Sequence, residues 1–333
     1  MSKKNILIGF YKGIGDFVNM IPILKELDKN YNINILITRP IIPFIDNIDL
    51  PGNTINFILF DTVSSGKFIS QIKLLYKLSG IKFEYFFISP DPQIKNTSLL
   101  IPFFIKVLKC LKFKHRFTVV GSELDRLSRL YDIQLPISKS IPLLNRNLLM
   151  FTLMYFLPID FRPNLQIFKK TKVISENYDI IIHPGASSEN RKLPFRNLEM
   201  VIDDLKAHNF KVAFIGLNSD LEQYSILKSK VDFINGPLDY LLSIINSSKL
   251  IITMDSGFSH IASLMGIVHI AIMGPGDIKA TPPSGFNSHI IITNHPLSCM
   301  PCNSSFCKYN INYCLSTISS SEILDSIYSV LGK

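Results

Sequence analysis

A chain of 333 residues exceeds one ordinary hydrophobic core and suits two domains of roughly 150 residues each. Its 47% hydrophobic and 18% charged residues exclude a disordered polymer, and its longest apolar stretches, 99–105 and 148–159, fall short of the roughly 18–20 residues that cross a bilayer. The net charge of +9 is lopsided: residues 1–170 carry 23 Lys and Arg against 12 Asp and Glu, whereas residues 171–333 carry 12 against 14.

The start, Met1-Ser2-Lys3-Lys4, is too short for a signal peptide and has no small-residue cleavage site, so it reads as cytoplasmic. Asn5 to Phe10 is a short apolar run, a buried strand. Residues 11–15 form a glycine-containing turn, and from Asp16 the residues Phe17, Met20, Ile21, Leu24 and Leu27 recur at helical spacing. A second strand at 33–37 makes this the opening of a parallel α/β sheet, which 55–60 and 85–89 continue. Residues 97–160 read as mainly helical. Within them Lys106, Lys109, Lys112, Lys114 and Arg116 are interleaved with Leu108, Leu111 and Phe113. Such a segment suits an anionic lipid surface or an acidic acceptor, and equally a solvated helix face. No nucleic-acid-binding motif accompanies the charge, so nucleic acid is not an expected partner.

Residues 160–178 read as a linker. A second α/β series follows: strand 179–183, helix 195–208, strand 211–215, helix 220–228, helix 238–246, strand 250–253, helix 257–264, strand 268–272 and a terminal helix 319–331 capped by Ser319 or Ser320. The fold class is therefore α/β: two doubly wound Rossmann-like domains, 1–165 and 166–333, facing a central cleft, with the terminal helix able to pack back on the leading domain. Open α/β sheets bind ligands beyond the C-terminal ends of their strands, which directs attention to the loops there.

In the first such loop, Gly13-Ile14-Gly15-Asp16, the third glycine of a dinucleotide fingerprint is replaced by Val18, and a carboxylate stands where a pyrophosphate needs donors. Gly13 and Gly15 allow a tight turn that presents Asp16 at a helix N-terminus, where an anion is favoured and can act as a proton acceptor; a plain helix cap is the simpler reading. The second loop, His183-Pro184-Gly185-Ala186-Ser187-Ser188 with Arg191 and Lys192, can bring backbone N–H groups and cations to a phosphate. His183, at a strand end, reads as structural. In the third loop, Asp255 or Ser256 can cap a helix at which Ser256 and Gly257 offer N–H groups to a diphosphate, with His260 in reach. Gly274-Pro275-Gly276-Asp277 marks a turn after the last clear strand, and Asp220 and Glu222 are placed to accept from ribose hydroxyls or to serve as first-turn helix acids. No Asp-x-Asp metal motif occurs.

Of five cysteines, Cys110 stands alone and reads as a core residue. Cys299, Cys302, Cys307 and Cys314 fall within 16 residues, able either to hold a structural tetrahedral zinc or to remain a loop of reduced thiols.

In this order and spacing, nearly the whole chain resembles glycosyltransferase family 9, which includes the bacterial lipopolysaccharide heptosyltransferases. The resemblance is carried by Ile6-Leu7-Ile8 with Gly13-Ile14-Gly15-Asp16, His183-Pro184-Gly185-Ala186, Arg191-x-x-Pro194, Asp255-Ser256-Gly257-Phe258-Ser259-His260, Gly274-Pro275 and the cysteine tail. It implies a GT-B architecture and an inverting transfer that needs no catalytic metal. The implied donor is ADP-heptose. The implied acceptor is a lipopolysaccharide core or related anionic glycolipid, reached by peripheral attachment at the cytoplasmic face of the inner membrane. By the same resemblance Asp16 is the general base, Arg191 faces the donor phosphates or sugar, Ser256 and Gly257 donate to the diphosphate, and His260 closes that motif. Asp220 lies near the family's acidic residue. The sequence departs from the family pattern at Leu193, where tryptophan is usual, at Arg191, where lysine is usual, and at Gly276, where threonine is common. Two other readings remain: a sugar-nucleotide epimerase or hydrolase of the same architecture, or a catalytically inactive nucleotide-sugar-binding protein.

Overall fold

The structure is a computed structural model; it describes residues 3–9, 13–50, 55–59, 67–88, 109–119, 132–135, 137–138, 141–169, 176–285, 287–293, 297–302, 304, 306–309 and 311–332. The chain divides into two compact units, Met1–Asn164 and Leu165–Lys333, and each contains one six-stranded sheet.

In the first unit the strands are β1 (Lys4–Gly9), β2 (Tyr31–Ile37), β3 (Ile55–Leu59), β4 (Tyr85–Ile88), β5 (His115–Val119) and β6 (Ile133–Leu135), with helices α1 (Ile14–Leu27), α2 (Ile42–Ile45), α3 (Lys67–Ser79) and α4 (Leu143–Leu153). All pairings are parallel, in the order β3-β2-β1-β4-β5-β6. Ile6, Leu7 and Ile8 are wholly buried, as expected of a central strand covered on both faces. Helix α1 buries Phe17, Met20, Ile21, Leu24 and Leu27, the periodic set the sequence displays.

The stretch read as mainly helical contains two strands instead. In β5 Phe117 turns inward, its ring stacked on Phe87 at 4.9 Å, and alternation with polar neighbours gives the segment a strand's period. Arg116 grips Asp132 with Nε–Oδ2 and Nη2–Oδ1 bonds of 3.1 and 2.9 Å, and the guanidinium holds the Asp132 carboxyl below the usual carboxylate range. Arg116 is therefore committed within the sheet, while Lys109, Lys112 and Lys114 are exposed. Cys110, expected in the core, is exposed as well. Lys106 and residues 97–108 lie outside the described residues.

The second unit has β7 (Ile180–His183), β8 (Val212–Ile215), β9 (Asp232–Ile234), β10 (Leu250–Met254), β11 (His269–Ile272) and β12 (Ser288–Ile291). Its helices are α5 (Phe195–Ala207), α6 (Asn218–Glu222), α7 (Leu238–Ser247), α8 (Gly257–Met265), α9 (Tyr313–Ser316) and α10 (Ser320–Leu331). Read from β9, the order is β9-β8-β7-β10-β11-β12, the same winding as the first unit. One face packs under α5 and α10, the other under α7 and α8. The expected helix over 220–228 is replaced by α6 and a separate 3-10 turn, Ser225–Ser229.

The terminal helix belongs to the second unit. Ser319 caps α10 by accepting from the Glu322 N–H at 3.1 Å, while the Glu322 carboxylate accepts from the Ser319 N–H at 2.7 Å. Its apolar face, Ile323 and Ile327, joins Leu198, Val201, Ile202 and Leu205 of α5 in one core. That face is thereby buried within the second unit.

Candidate active site

In a doubly wound sheet the strand order reverses at one point, and the loops leaving the two flanking strands diverge to open a crevice. The reversals lie between β1 and β4 in the first unit and between β7 and β10 in the second. Every loop with the strongest chemical signature leaves one of these strands: Gly13–Asp16 follows β1, His183–Lys192 follows β7, and Asp255–Gly257 follows β10.

After β1, Gly13 is the N-cap of α1 in an extended conformation and makes no side-chain cap, which places Asp16 in the helix's first turn. Asp16 is half-buried and has no hydrogen-bond partner among the described residues. Gly15 is buried, and its carbonyl accepts from the Asn19 side chain at 2.8 Å. Among the described residues the carboxylate is held by backbone alone. The simpler reading, a capping aspartate, does not apply: the cap position belongs to Gly13. Tyr11 and Lys12 lie outside the described residues.

In the second unit three loops meet at Asp255, which is 5% exposed. The Arg191 Nε lies 3.5 Å from its Oδ2, close enough for charge attraction but not a hydrogen bond. A side chain at Gly276 would collide with the same carboxylate, so the turn after β11 presses directly on it. Gly185 is buried and Ser187 exposed beside this loop. Lys192 points elsewhere: its ammonium donates to Glu189 at 2.5 Å and to Gln223 at 2.9 Å, joining the β7 loop to the segment after α6. Asp220 sits in α6, with its side chain outside the described residues.

Helix α8 begins at Ser256, in extended conformation and without a side-chain cap. Its first N–H groups therefore keep their positive end uncapped by side chain. Of eight buried side-chain N and O atoms without a partner among the described residues, five belong to His183, Asp255, Ser256 and Ser259, at the ends of two neighbouring strands. Each such atom costs on the order of 1–3 kcal/mol when left unpaired, and a group of them marks a place where a polar ligand supplies the missing bonds. His260 is half-buried one turn into α8. Its proximity helps depress the His269 imidazole, after burial.

His183 is wholly shielded and lies face to face on Phe258, ring centroids 4.2 Å apart. Burial pushes its imidazole down to about 3, and His269, bonded to Thr253 at 2.9 Å, is also pushed down to about 3 by burial. Both are neutral in the folded protein, whereas the unfolded chain takes up protons near the ordinary 6.5. Stability is therefore full above pH 6.5 and falls as pH drops towards 3, by up to about 1.4 kcal/mol per unit for each histidine. Urea melts at pH 7 and pH 5 should show this loss, and His183→Phe should shrink it; an undiminished loss would mean that His183 is already charged when folded.

The four cysteines of the tail line one cavity of about 90 Å³ together with Leu297 and Tyr313. Among the described residues no group of three or more His, Cys, Asp or Glu has metal-holding geometry. Three of the contacts that matter here escape sequence reasoning. Gly276 and the Phe258 stack stand inside noticed motifs but carry no marker of their role, and Asn190, whose side chain ties this loop to the tail, gives no signal at all.

Two parallel, doubly wound sheets, each with its chemically marked loops at the reversal point, are those of the GT-B architecture. The family model for glycosyltransferase family 9 (heptosyltransferase) matches residues 114–311, and the chain belongs to that family. Among solved structures it is similar to the E. coli ADP-heptose lipopolysaccharide heptosyltransferase II, at 18% identity over 98% of both chains and a TM-score of 0.70. It is similar to a family 9 glycosyltransferase from Veillonella parvula, at 16% identity over 98% of this chain and 97% of that one, TM-score 0.74. It also matches the iron-containing dodecameric glycosyltransferase TibC of enterotoxigenic E. coli, at 10% identity over 99% of this chain and 76% of that one, TM-score 0.62. A search of curated proteins by sequence gave no match.

Proposed function

We propose that this glycosyltransferase transfers heptose from ADP-heptose, with inversion, to a hydroxyl of an anionic glycolipid of the lipopolysaccharide core. The observation that carries the donor half is the uncapped start of α8 together with the buried Ser256 and Ser259 hydroxyls, which have no hydrogen-bond partner among the described residues. A diphosphate supplies acceptors for the Gly257 and Phe258 N–H groups and a counter-charge for Arg191. The leaving group therefore departs into preorganised dipoles and one cation, which is how this site stabilises developing charge without a catalytic metal. Asp16 takes the acceptor hydroxyl proton as the oxygen attacks the anomeric carbon. The bond from that carbon to the ADP oxygen breaks, and the electron pair leaves with the diphosphate.

A transfer assay that offers ADP-heptose or UDP-hexoses to a heptose-deficient glycolipid tests this reading. Product from ADP-heptose alone, with inverted anomeric configuration, is the expected result. ADP release that needs no acceptor would support a hydrolase or epimerase instead.

The first half carries the surplus charge, and Lys109, Lys112 and Lys114 are exposed there, which fits attachment to an acidic bilayer surface. No helix among the described residues is long and apolar enough to cross a membrane. Flotation with vesicles containing acidic lipid should show binding at low salt that fades as salt rises; recovery equal to that with neutral vesicles would remove the membrane from the proposal.

Cys299, Cys302, Cys307 and Cys314 share one cavity, and the Ser304 N–H lies 3.5 Å from the Cys302 sulfur. The thiols do not stand in metal-holding geometry, so a structural thiophilic ion such as zinc would have to draw them together to cross-link the tail. Elemental analysis of purified protein should find about one metal ion per chain, and Cys302→Ser should lower it; metal-free protein of full stability would leave the cysteines as reduced thiols.

A further inference from the structure

Asn190 stands between Glu189 and Arg191 in the turn after β7 and is 2% exposed. Both ends of its side-chain amide are used. Its Oδ1 accepts from the Ser188 hydroxyl at 2.8 Å, and its Nδ2 donates to the Ser304 carbonyl, 114 residues away, at 2.6 Å. A second bond runs in parallel: the Asn312 side chain donates to the Glu189 carbonyl at 3.0 Å. A third leaves the same tail in another direction, from the Cys302 N–H to the Pro275 carbonyl at 2.7 Å. The tail segment 299–314 therefore grips the Arg191 turn at two points and the Pro275-Gly276 turn at one. Those two turns are the ones that reach the Asp255 Oδ2, through the Arg191 guanidinium and the Gly276 backbone.

We propose that Asn190 is a positioning residue of the donor site, and that through it the cysteine-bearing tail acts as a brace that sets the distance between Arg191 and Asp255. The inference rests on the reading of that site as the nucleotide-diphosphate site. Arg191 has a long, rotamer-rich side chain, and its placement is only as good as the turn that carries it. A short polar turn next to solvent does not hold one geometry by itself. A buried amide bonded on both ends fixes it, because turning that amide away would leave its own groups and the Ser304 carbonyl unsatisfied. The cavity that contains the four cysteines is lined by Asn190 and Pro275 too, so the anchoring atoms and the thiols share one packed unit. Whatever orders that unit orders the donor turn, and by linkage a ligand that orders the donor turn must order the tail equally.

The test uses the full chain and ADP as probe, with affinity read by calorimetry and backbone amide exchange read by mass spectrometry. In the wild type, ADP should slow exchange across 299–314. In Asn190→Ala, ADP should bind about 10-fold more weakly, and the slowing in the tail should disappear while that at the start of α8 persists. A merely structural asparagine would lower the melting temperature and leave the tail's response to ADP in place. Wild-type protein that binds ADP with no change in the tail overturns the brace, even if the variant fails to fold. So does a variant with wild-type affinity and wild-type tail protection. Wild-type protein that does not bind ADP overturns the donor-site reading and the brace with it, so the two failures are distinguishable.

Discussion

Asp16→Ala should lower turnover by about 10² to 10⁴ while leaving ADP affinity within about twofold, since a positioned base contributes on that scale and the residue belongs to a different unit from the nucleotide loops. The physical ground is local. The helix α1 starts at Ile14 with Gly13 as its cap, so the carboxylate is spared the capping role that most first-turn acids of loops fulfil. It has no hydrogen-bond partner among the described residues, and the backbone that carries it is pinned by the Asn19 bond to the Gly15 carbonyl. An available carboxylate on a fixed turn beyond a central strand has the two properties of a general base: an open lone pair and a defined direction. Asp16→Asn keeps size and removes proton affinity, so it should be as slow as the alanine variant. Single-turnover measurements with saturating donor separate the chemical step from binding. If both variants turn over at the wild-type rate, proton removal lies with another group. If the rate falls only because ADP no longer binds, Asp16 supports the donor instead.

Much of this was legible before any coordinates, for reasons that can be stated residue by residue. Parallel central strands are apolar on both faces and read as uninterrupted runs. Ile6-Leu7-Ile8 and Ile180-Ile181-Ile182 announced themselves in that way and are wholly buried. The helix α8 was visible because Ser256-Gly257 precedes an apolar pattern of helical period. The strands that went unread are those that violate these signals. β5, His115-Arg116-Phe117-Thr118-Val119, lies inside a basic stretch whose Lys and Leu spacing resembles a helix, and its pairing to β4 and β6 decides the matter. β9 and β12 are edge strands of three and four residues, half exposed, with little periodicity to display. The site divides in the same way. Asp16, Arg191, Asp255 and Ser256 stand in loops whose order and composition carry a chemical meaning. Asn190 and Gly276 act through contacts with residues 114 positions away or with a carboxylate from another loop, and no local pattern encodes a contact of that range. Arg191 and Lys192, adjacent and alike in charge, were indistinguishable as sequence. The fold separates them, sending the first to Asp255 and the second to Glu189 and Gln223.

Gly276→Ala should weaken ADP binding by roughly 5- to 150-fold, because one methyl group at this position strikes the Asp255 carboxylate and overpacking of that kind costs about 1–3 kcal/mol. The collision could be relieved cheaply if the carboxylate were the loose end of an exposed side chain. Asp255 is instead nearly buried, with the Arg191 guanidinium 3.5 Å from the oxygen that would be struck. A retreat of the carboxylate therefore disturbs Arg191, and a retreat of the 274–277 turn strains the Cys302 bond to Pro275. Either way the loss falls on the geometry proposed to receive the diphosphate. The control is Gly266→Ala at the end of α8. That glycine has φ +75° and open space around it, so alanine there should cost about 1 kcal/mol of stability through backbone strain and leave ADP affinity unchanged. Calorimetric titration with ADP, alongside thermal melts of both variants, distinguishes the two effects. Gly276→Ala protein that binds ADP as tightly as the wild type would remove Asp255 from the donor site. A melting temperature that falls further for Gly276→Ala than for Gly266→Ala, with affinity intact, would show that the turn serves the fold alone.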